Sequence, residues 1–290
     1  MSDRSVRDAV LGWFAAEGRL DLPWRATRDP WAVLVAEVVL QQTQVARALD
    51  RWPVLLDRFP TPAACATASP AAVIAAWQGL GYNRRALALH RCATEVVRRH
   101  DGVVPADLDA LLDLPGVGPY TARAVLAFAY EADVGVLDTN VARVLARVGG
   151  RRRTAAAAQR AVDDAVPLGR GWAWNQALMD LGATVCTARS PRCADCPVVS
   201  SCAWAVAGRP DPDPATGSAG VSGRQSRFEG SDRQGRGRLV NALRCGPVAA
   251  DALATVMGWP DDPGRADRVA ASLLRDGLAV ADGVTYRLPG

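Results

Sequence analysis

Four cysteines fall within seventeen residues: Cys186, Cys193, Cys196 and Cys202, spaced C-x6-C-x2-C-x5-C. One loop can bring thiolates this close in sequence around a single inorganic centre. Thiolate ligation suits zinc or an iron–sulfur centre. Two carboxylates stand out upstream. Glu37 lies in Val35-Ala-Glu-Val-Val-Leu-Gln-Gln-Thr-Gln-Val45, and Asp138 lies in Val136-Leu-Asp-Thr-Asn140. Two carboxylates in different surroundings can divide the work of acid and charge stabiliser. Glu37 could also be an ordinary surface helix residue, although Ala36, Val38 and Val39 make that uncomfortable. Asp138 could be the N-cap of the helix that begins at Asn140, and the two roles are compatible.

Between the carboxylates runs Leu114-Pro-Gly-Val-Gly-Pro-Tyr-Thr-Ala122. Gly116 and Gly118 permit a tight turn and close approach of another backbone. Amide groups there and at the start of the next helix can hold a phosphate oxygen. A plain connection between two antiparallel helices would use the same residues.

The elements that must position these groups read as helices. Asp29-Pro30 is a cap followed by a first-turn proline, and apolar spacing continues from Trp31 to Leu49. Ser69-Pro70 starts another helix, which stops at Gly79-Leu-Gly81. Further helical segments are predicted over 84–99, 106–112, 121–130, 140–148, 154–166 and 172–181. This part shows no strand periodicity, so the expected fold class is all-α. Residues 207–226 are rich in Pro, Gly and Ser and predict a flexible linker. Helical patterns over 235–244, 249–257 and 265–276, then alternation over 278–288 around Asp282-Gly283, resemble a winged helix. The expected domains are therefore 1–206, with the cysteine loop at 186–202, and 227–290.

The chain has 290 residues, 49% of them hydrophobic, enough for a packed core. No apolar run is long enough to span a membrane and no secretory leader is evident, so no membrane partner and a cytoplasmic location are expected. Cysteines in that compartment argue against disulfides. Cys65, Cys92 and Cys245 are expected to be small buried residues. The net charge of +4 and pI near 8.8 are compatible with nucleic acid without demanding it. All 34 basic residues are arginine and none is lysine. The N-terminus is thus the one amine available for Schiff-base chemistry.

The cysteine spacing, the hairpin and Asp138 about twenty residues beyond it resemble the iron–sulfur DNA glycosylases of the endonuclease III superfamily. Within them, the segment around Glu37 resembles the adenine DNA glycosylase family. The resemblance covers residues 1 to about 206. It implies a helix-hairpin-helix glycosylase fold, a [4Fe–4S] cluster on the four cysteines, and a double-stranded DNA partner carrying a mismatched or oxidised base pair, bound by a monomer. It implies that Glu37 protonates the leaving adenine at N7, that Asp138 stabilises the sugar cation, and that Asn140 positions Asp138. Superfamily members that also cut the strand carry a lysine where this chain has Tyr120, so the resemblance implies base removal alone, with Tyr120 packing against the sugar. It further places Trp24, Arg25, Leu40 and Gln176 around the adenine. Gln41 and Gln42 would enter the duplex where the base is extruded, and Tyr82 would wedge beside the opposing base. Gly116, Gly118 and Arg143 would meet the DNA backbone, with Arg147 and Arg151 to Arg153 as further phosphate contacts. Arg189 and Arg192 would face phosphates from the cysteine loop.

The chain departs from that pattern in two places. Thr139 stands where a glycine is common in the adenine family; a larger residue there is frequent in thymine-mismatch relatives, which makes a thymine or uracil glycosylase the close rival. The adenine family reads 8-oxoguanine through a Phe-Ser-His loop of a Nudix-like domain; both histidines here, His90 and His100, lie in the first domain, so that loop is not expected in this chain. The tail holds nine arginines against eight acids, which makes DNA binding and protein docking about equally expected of it. A non-catalytic iron–sulfur DNA-binding protein is the rival from another class.

Overall fold

The computed structural model describes residues 1, 3–218 and 227–290. The described residues are mostly helical, with one small sheet among them, within residues 248–287. Its described residues form two compact units, each discontinuous in sequence. One comprises the residues up to Val33, Ala106–Leu108 and the stretch from Gly118 to 218. The other comprises Leu34–Pro105, Asp109–Val117 and residues 227–290.

The first unit contains α1 (Arg4–Glu17) and the first turn of α2 (Pro30–Leu40), and later α8 (Pro119–Phe128), α9 (Thr139–Val148), α10 (Ala155–Asp163), α11 (Gly171–Asp180) and the short α12 (Ala203–Val206). Helix α1 presents Val6, Val10 and Phe14 at helical spacing to Val141, Val144 and Leu145 of α9 and Trp174, Ala177 and Leu178 of α11. After Asp180 the helix widens into a π-turn, Leu181–Val185, which delivers the chain to Cys186. Part of the expected linker is anchored in this unit. Asp213 pairs with Arg147 at 2.7 Å, and Ser218 accepts from the Arg153 amide at 3.2 Å. Residues 219–226 of that segment lie outside the described residues.

The second unit contains the rest of α2, then α3 (Val45–Arg58), α4 (Pro62–Thr67), α5 (Pro70–Ala76), α6 (Arg84–His100) and most of α7 (Leu108–Leu112). Helix α6 buries Ala86, Leu87, Leu89, Cys92, Ala93 and Val96, packing on α4 and α5. The tail forms α13 (Asp232–Cys245), α14 (Leu253–Met257) and α15 (Pro263–Asp276), joined by strands β1 (Val248–Ala249), β2 (Val280–Ala281) and β3 (Thr285–Arg287) in the antiparallel order β1-β3-β2. The expected hairpin is present, extended by β1, whose two residues are too few for a period-2 signal. The tail is stapled to the earlier helices of its unit. Arg244 donates to the Ile74 carbonyl at 3.0 Å and to Asn83 Oδ1 at 2.9 Å, and the Ala71 amide donates to the Pro289 carbonyl at 2.9 Å.

The single helix expected over 31–49 is two. Helix α2 stops at Leu40, Gln42 takes φ +56°, and α3 starts at Val45. Helices α1 and α4 were not anticipated. Of the isolated cysteines, Cys65 and Cys92 are buried as expected, and burial pushes both thiols up to about 12, which leaves them inert. Cys245 is exposed, contrary to expectation, because it lies on the solvent side of α13. Among the described residues no helix is long and apolar enough to cross a membrane.

Candidate active site

In the first unit the predicted residues gather at the start of α9 and the end of α11. Asp138 caps α9, its Oδ1 accepting from the Val141 amide at 2.7 Å. Its Oδ2 accepts from Asn140 Nδ2 at 2.9 Å. The cap and the candidate catalytic carboxylate are one group, as the sequence allowed. Burial raises the Asp138 carboxyl above its ordinary range, against the opposing pull of the Val141 amide, the Asn140 amide and the nearby Arg143 charge.

Asn140 passes the contact onward. Its Oδ1 accepts from Arg143 Nη2 at 2.8 Å, and the same guanidinium donates to the carbonyls of Gly182 at 2.6 Å and Cys186 at 2.7 Å. Arg143 is 7% exposed. The expectation that it meets a phosphate is therefore corrected: its donors are spent inside the protein, bracing the Asp138 corner against the cysteine loop. Gly182 makes this approach possible, since a Cβ there would stand 2.6 Å from the Asn140 Cβ. Arg147 is corrected in the same way. It is 2% exposed, paired with Asp213, and donates to the Thr187 carbonyl at 2.7 Å and to Cys186 Sγ at 3.3 Å. Arg151, Arg152, Arg189 and Arg192 remain exposed.

Trp24 and Arg25 sit in a single 3-10 turn, Pro23–Arg25, and both are buried. Arg25 grips Asp180 with two bonds, at 2.8 and 2.9 Å, and Arg19 grips it from another side at 2.8 Å. Burial would raise the Asp180 carboxyl, but these partners outweigh it and hold it below its usual range. Arg25 thus fixes the turn that carries Trp24, rather than offering a free guanidinium to a base. Gln176 is buried on α11, and Tyr120 is half-buried in the first turn of α8.

All four cysteines line one cavity, with Val144, Leu181, Val185, Val198 and Trp204 as its apolar wall. Two short 3-10 turns, Cys193–Asp195 and Val199–Ser201, wrap the loop around it. Burial and the neighbouring thiols push Cys196 up to about 11, an environment that a bound cationic centre would reverse. The chemistry of the donor set, four cysteines of one loop beside an apolar wall, suits an iron–sulfur cluster. Such a cluster would cross-link the loop.

In the second unit, the part of α2 that carries Glu37 is buried nearly all round. Glu37 itself is 5% exposed. Leu40 and Gln41 are half-buried at the end of this helix, and Gln42 is exposed in the left-handed region. Tyr82 is 45% exposed and also has a positive φ, +45°. Two strained non-glycine residues at the tips of loops are a frequent mark of function.

Arg85, which sequence reasoning missed, ties these two loops together. Its Nη1 donates to the carbonyls of Val38 at 2.8 Å, Val39 at 3.0 Å and Gln41. Its Nη2 reaches Thr43 Oγ1 at 3.1 Å and the carbonyls of Leu80 at 3.0 Å and Gly81 at 3.2 Å. The guanidinium satisfies the orphan carbonyls at the end of α2 and also lies over Tyr82, 5.6 Å from the ring centroid. Burial lowers it to about 10, so it stays cationic at neutral pH. The available signal was a charge at 85, in register with the apolar stripe Leu89, Cys92 and Val96.

In the hairpin, Gly116 and Gly118 divide the labour. Gly116 has φ +80°, and a Cβ there would meet Ala88 at 2.7 Å; Gly118 has ordinary extended geometry, and a Cβ there would have nothing within 4 Å. Gly116→Ala is expected to cost about 1–3 kcal/mol of stability through strain and contact with α6. Gly118→Ala should leave the melting temperature within about 2 °C, while weakening DNA binding severalfold by filling the approach path. Thermal melts and duplex titrations of the two variants check both expectations.

Residues 35–167 match the HhH-GPD superfamily of base excision DNA repair proteins, and residues 186–202 match the iron–sulfur binding domain of endonuclease III. An adenine DNA glycosylase of Mycobacterium tuberculosis is 47% identical over 297 residues, covering 99% of this chain and 95% of the relative. This chain belongs to the adenine DNA glycosylase family of the HhH-GPD superfamily. It is a DNA N-glycosylase of base excision repair, it carries a [4Fe–4S] cluster, and its fold is the helix-hairpin-helix glycosylase fold. A thymine/uracil-DNA glycosylase of Pyrobaculum aerophilum is 40% identical over 204 residues, covering 67% of this chain and 89% of that protein. The structure of a thermostable thymine-DNA glycosylase superposes with a TM-score of 0.65 at 27% identity, covering 69% of this chain and 95% of the other. Those two matches fall short of this chain's full length, whereas the mycobacterial one extends through the tail.

Proposed function

We propose that this glycosylase removes adenine mispaired with 8-oxoguanine or guanine and leaves the strand uncut. The near-full-length relationship to a mycobacterial adenine DNA glycosylase carries the reading. The absence of lysine supports the second half: Tyr120 follows the hairpin, and a phenol cannot form a Schiff base.

In this reading Glu37 gives a proton to N7 of the extruded adenine as the C1′–N9 bond breaks. Asp138, ionised and oriented by Asn140, stabilises the sugar cation until water adds to C1′. Tyr120 packs against the sugar. Trp24, Leu40 and Gln176 each have a role at the base, with Arg25 holding Trp24 in place. Gln41 and Gln42 enter the duplex where the adenine is extruded, and Tyr82 wedges beside the opposing base. Gly116 and Gly118 hold the backbone, and the cluster on Cys186, Cys193, Cys196 and Cys202 fixes its loop. The enzyme acts as a monomer in the cytoplasm, at the nucleoid.

Single-turnover assays on duplexes carrying A opposite 8-oxoguanine, A opposite G, T opposite G and U opposite G test the proposal. The expected result is adenine release from the first two, with no strand break before alkali. Release of thymine or uracil instead would replace the reading with the mismatch activity of the Pyrobaculum relative, a possibility that Thr139 keeps specific.

A further inference from the structure

A cavity of about 400 Å³ opens in the second unit. Gln41, Arg84, Arg91, Gly116, Arg275 and Asp276 are among the residues that line it. The lining joins three parts of the chain: the end of α2, the face of α6 against the hairpin glycine, and the end of α15 in the tail.

The charges in this cavity are not balanced. Asp276 is already claimed by Arg236 at 2.5 Å and lies 3.7 Å from Arg84. Among the described residues no hydrogen bond or ion pair occupies the guanidinium of Arg91 or Arg275, and both side chains are exposed. The tail glycine Gly277, at φ +73°, lets α15 end close to Arg91: a Cβ there would stand 3.2 Å from Arg91 Nη2. The same tail reaches the wedge loop, where Arg233 donates to the Tyr82 hydroxyl at 3.2 Å. Two uncommitted guanidiniums beside the hairpin glycine form an anion site, and forked donors suit the non-bridging oxygens of a phosphodiester.

We propose that Arg275 of the tail and Arg91 of α6 jointly bind a backbone phosphate of the duplex, making residues 227–290 part of the DNA-binding surface. This rests on the glycosylase reading above and goes beyond it by giving the tail a partner: the phosphodiester backbone, sequence-independent, next to the hairpin.

The test is the salt dependence of binding to a duplex carrying a stable abasic-site analogue opposite 8-oxoguanine. The double variant Arg91→Gln/Arg275→Gln is expected to reduce the slope of log K against log salt by about 0.9, the value for one phosphate left unneutralised, and each single variant by part of that. Each should also weaken binding several-fold at about 0.1 M salt. Arg4→Gln, at a side chain 96% exposed in the other unit, removes the same charge and should leave slope and base release unchanged. Slopes for Arg275→Gln and Arg91→Gln equal to wild type would overturn the shared phosphate site. A wild-type protein that releases no adenine would instead overturn the functional reading on which it rests. Because Arg91 and Arg275 lie on separate elements, a folding defect in one variant still leaves the other to decide.

Discussion

Asp138→Asn is expected to lower the single-turnover rate of adenine release by roughly 10²- to 10⁴-fold, the range lost when a group that stabilises transition-state charge is removed. Stability should hardly change. Asparagine is as good an N-cap as aspartate, so the bond to the Val141 amide is retained. The donor from Asn140 loses its acceptor, but a buried carboxylate disappears at the same time. Duplex binding should persist, because the hairpin is untouched. Normal turnover in this variant would remove Asp138 from the mechanism. The pH dependence carries the same signature. Burial raises the folded-state pKa of Asp138 above its ordinary 3.8, and the chemistry needs the ionised form. Base release should therefore fall on the acid side at a pH above the ordinary aspartate range. The stability contribution has the opposite sense. It is fully present below the unfolded value and is lost as pH rises through the raised folded value, since the folded protein holds this proton more tightly.

Arg85→Met should be the most destabilising single change in the second unit. It removes a buried cation whose donors serve five backbone carbonyls and the Thr43 hydroxyl. Methionine fills much of the space but leaves those acceptors without partners, a loss of about 3–5 kcal/mol. For a chain of this size, that is roughly 6–15 °C in melting temperature. Arg85→Lys should recover only part of it, since one ammonium cannot fork between the loop after Leu40 and the loop before Asn83. Both loops would also lose their mutual placement, so binding of a mispaired duplex should fall further than the stability loss explains at temperatures where the variant is folded. A variant that melts with wild type would show that the carbonyls find other partners.

How much of this was readable beforehand depended on the range of the interaction. The cysteine loop was legible because its ligands are local in sequence, and the Asp138 corner because a cap and its helix are adjacent. The break of α2 at Gln41 was not. Nothing between Trp31 and Leu49 breaks a helix by composition; the stop is held by Arg85, more than forty residues away. Arg143 and Arg147 were misjudged for a related reason. On α9 they read as phosphate contacts, and only the return of the chain from Gly182 to Asp213 buries them. The tail was recognised as three helices and a hairpin, yet its attachment through Arg244 and the Pro289 carbonyl left no local trace.

The discontinuity of the second unit has a consequence for how the enzyme is made. Residues 34–117 leave the ribosome well before residues 227–290, which complete their unit. Through most of translation, Ile74, Leu80 and the α6 stripe are present without the tail that braces them. Synthesis proceeds at about 5–20 residues per second, so this half-built body waits on the order of ten seconds before it can close. The segment that holds the Tyr82 loop thus reaches its partners only after that interval, during which the apolar surface it will cover is open to chaperones.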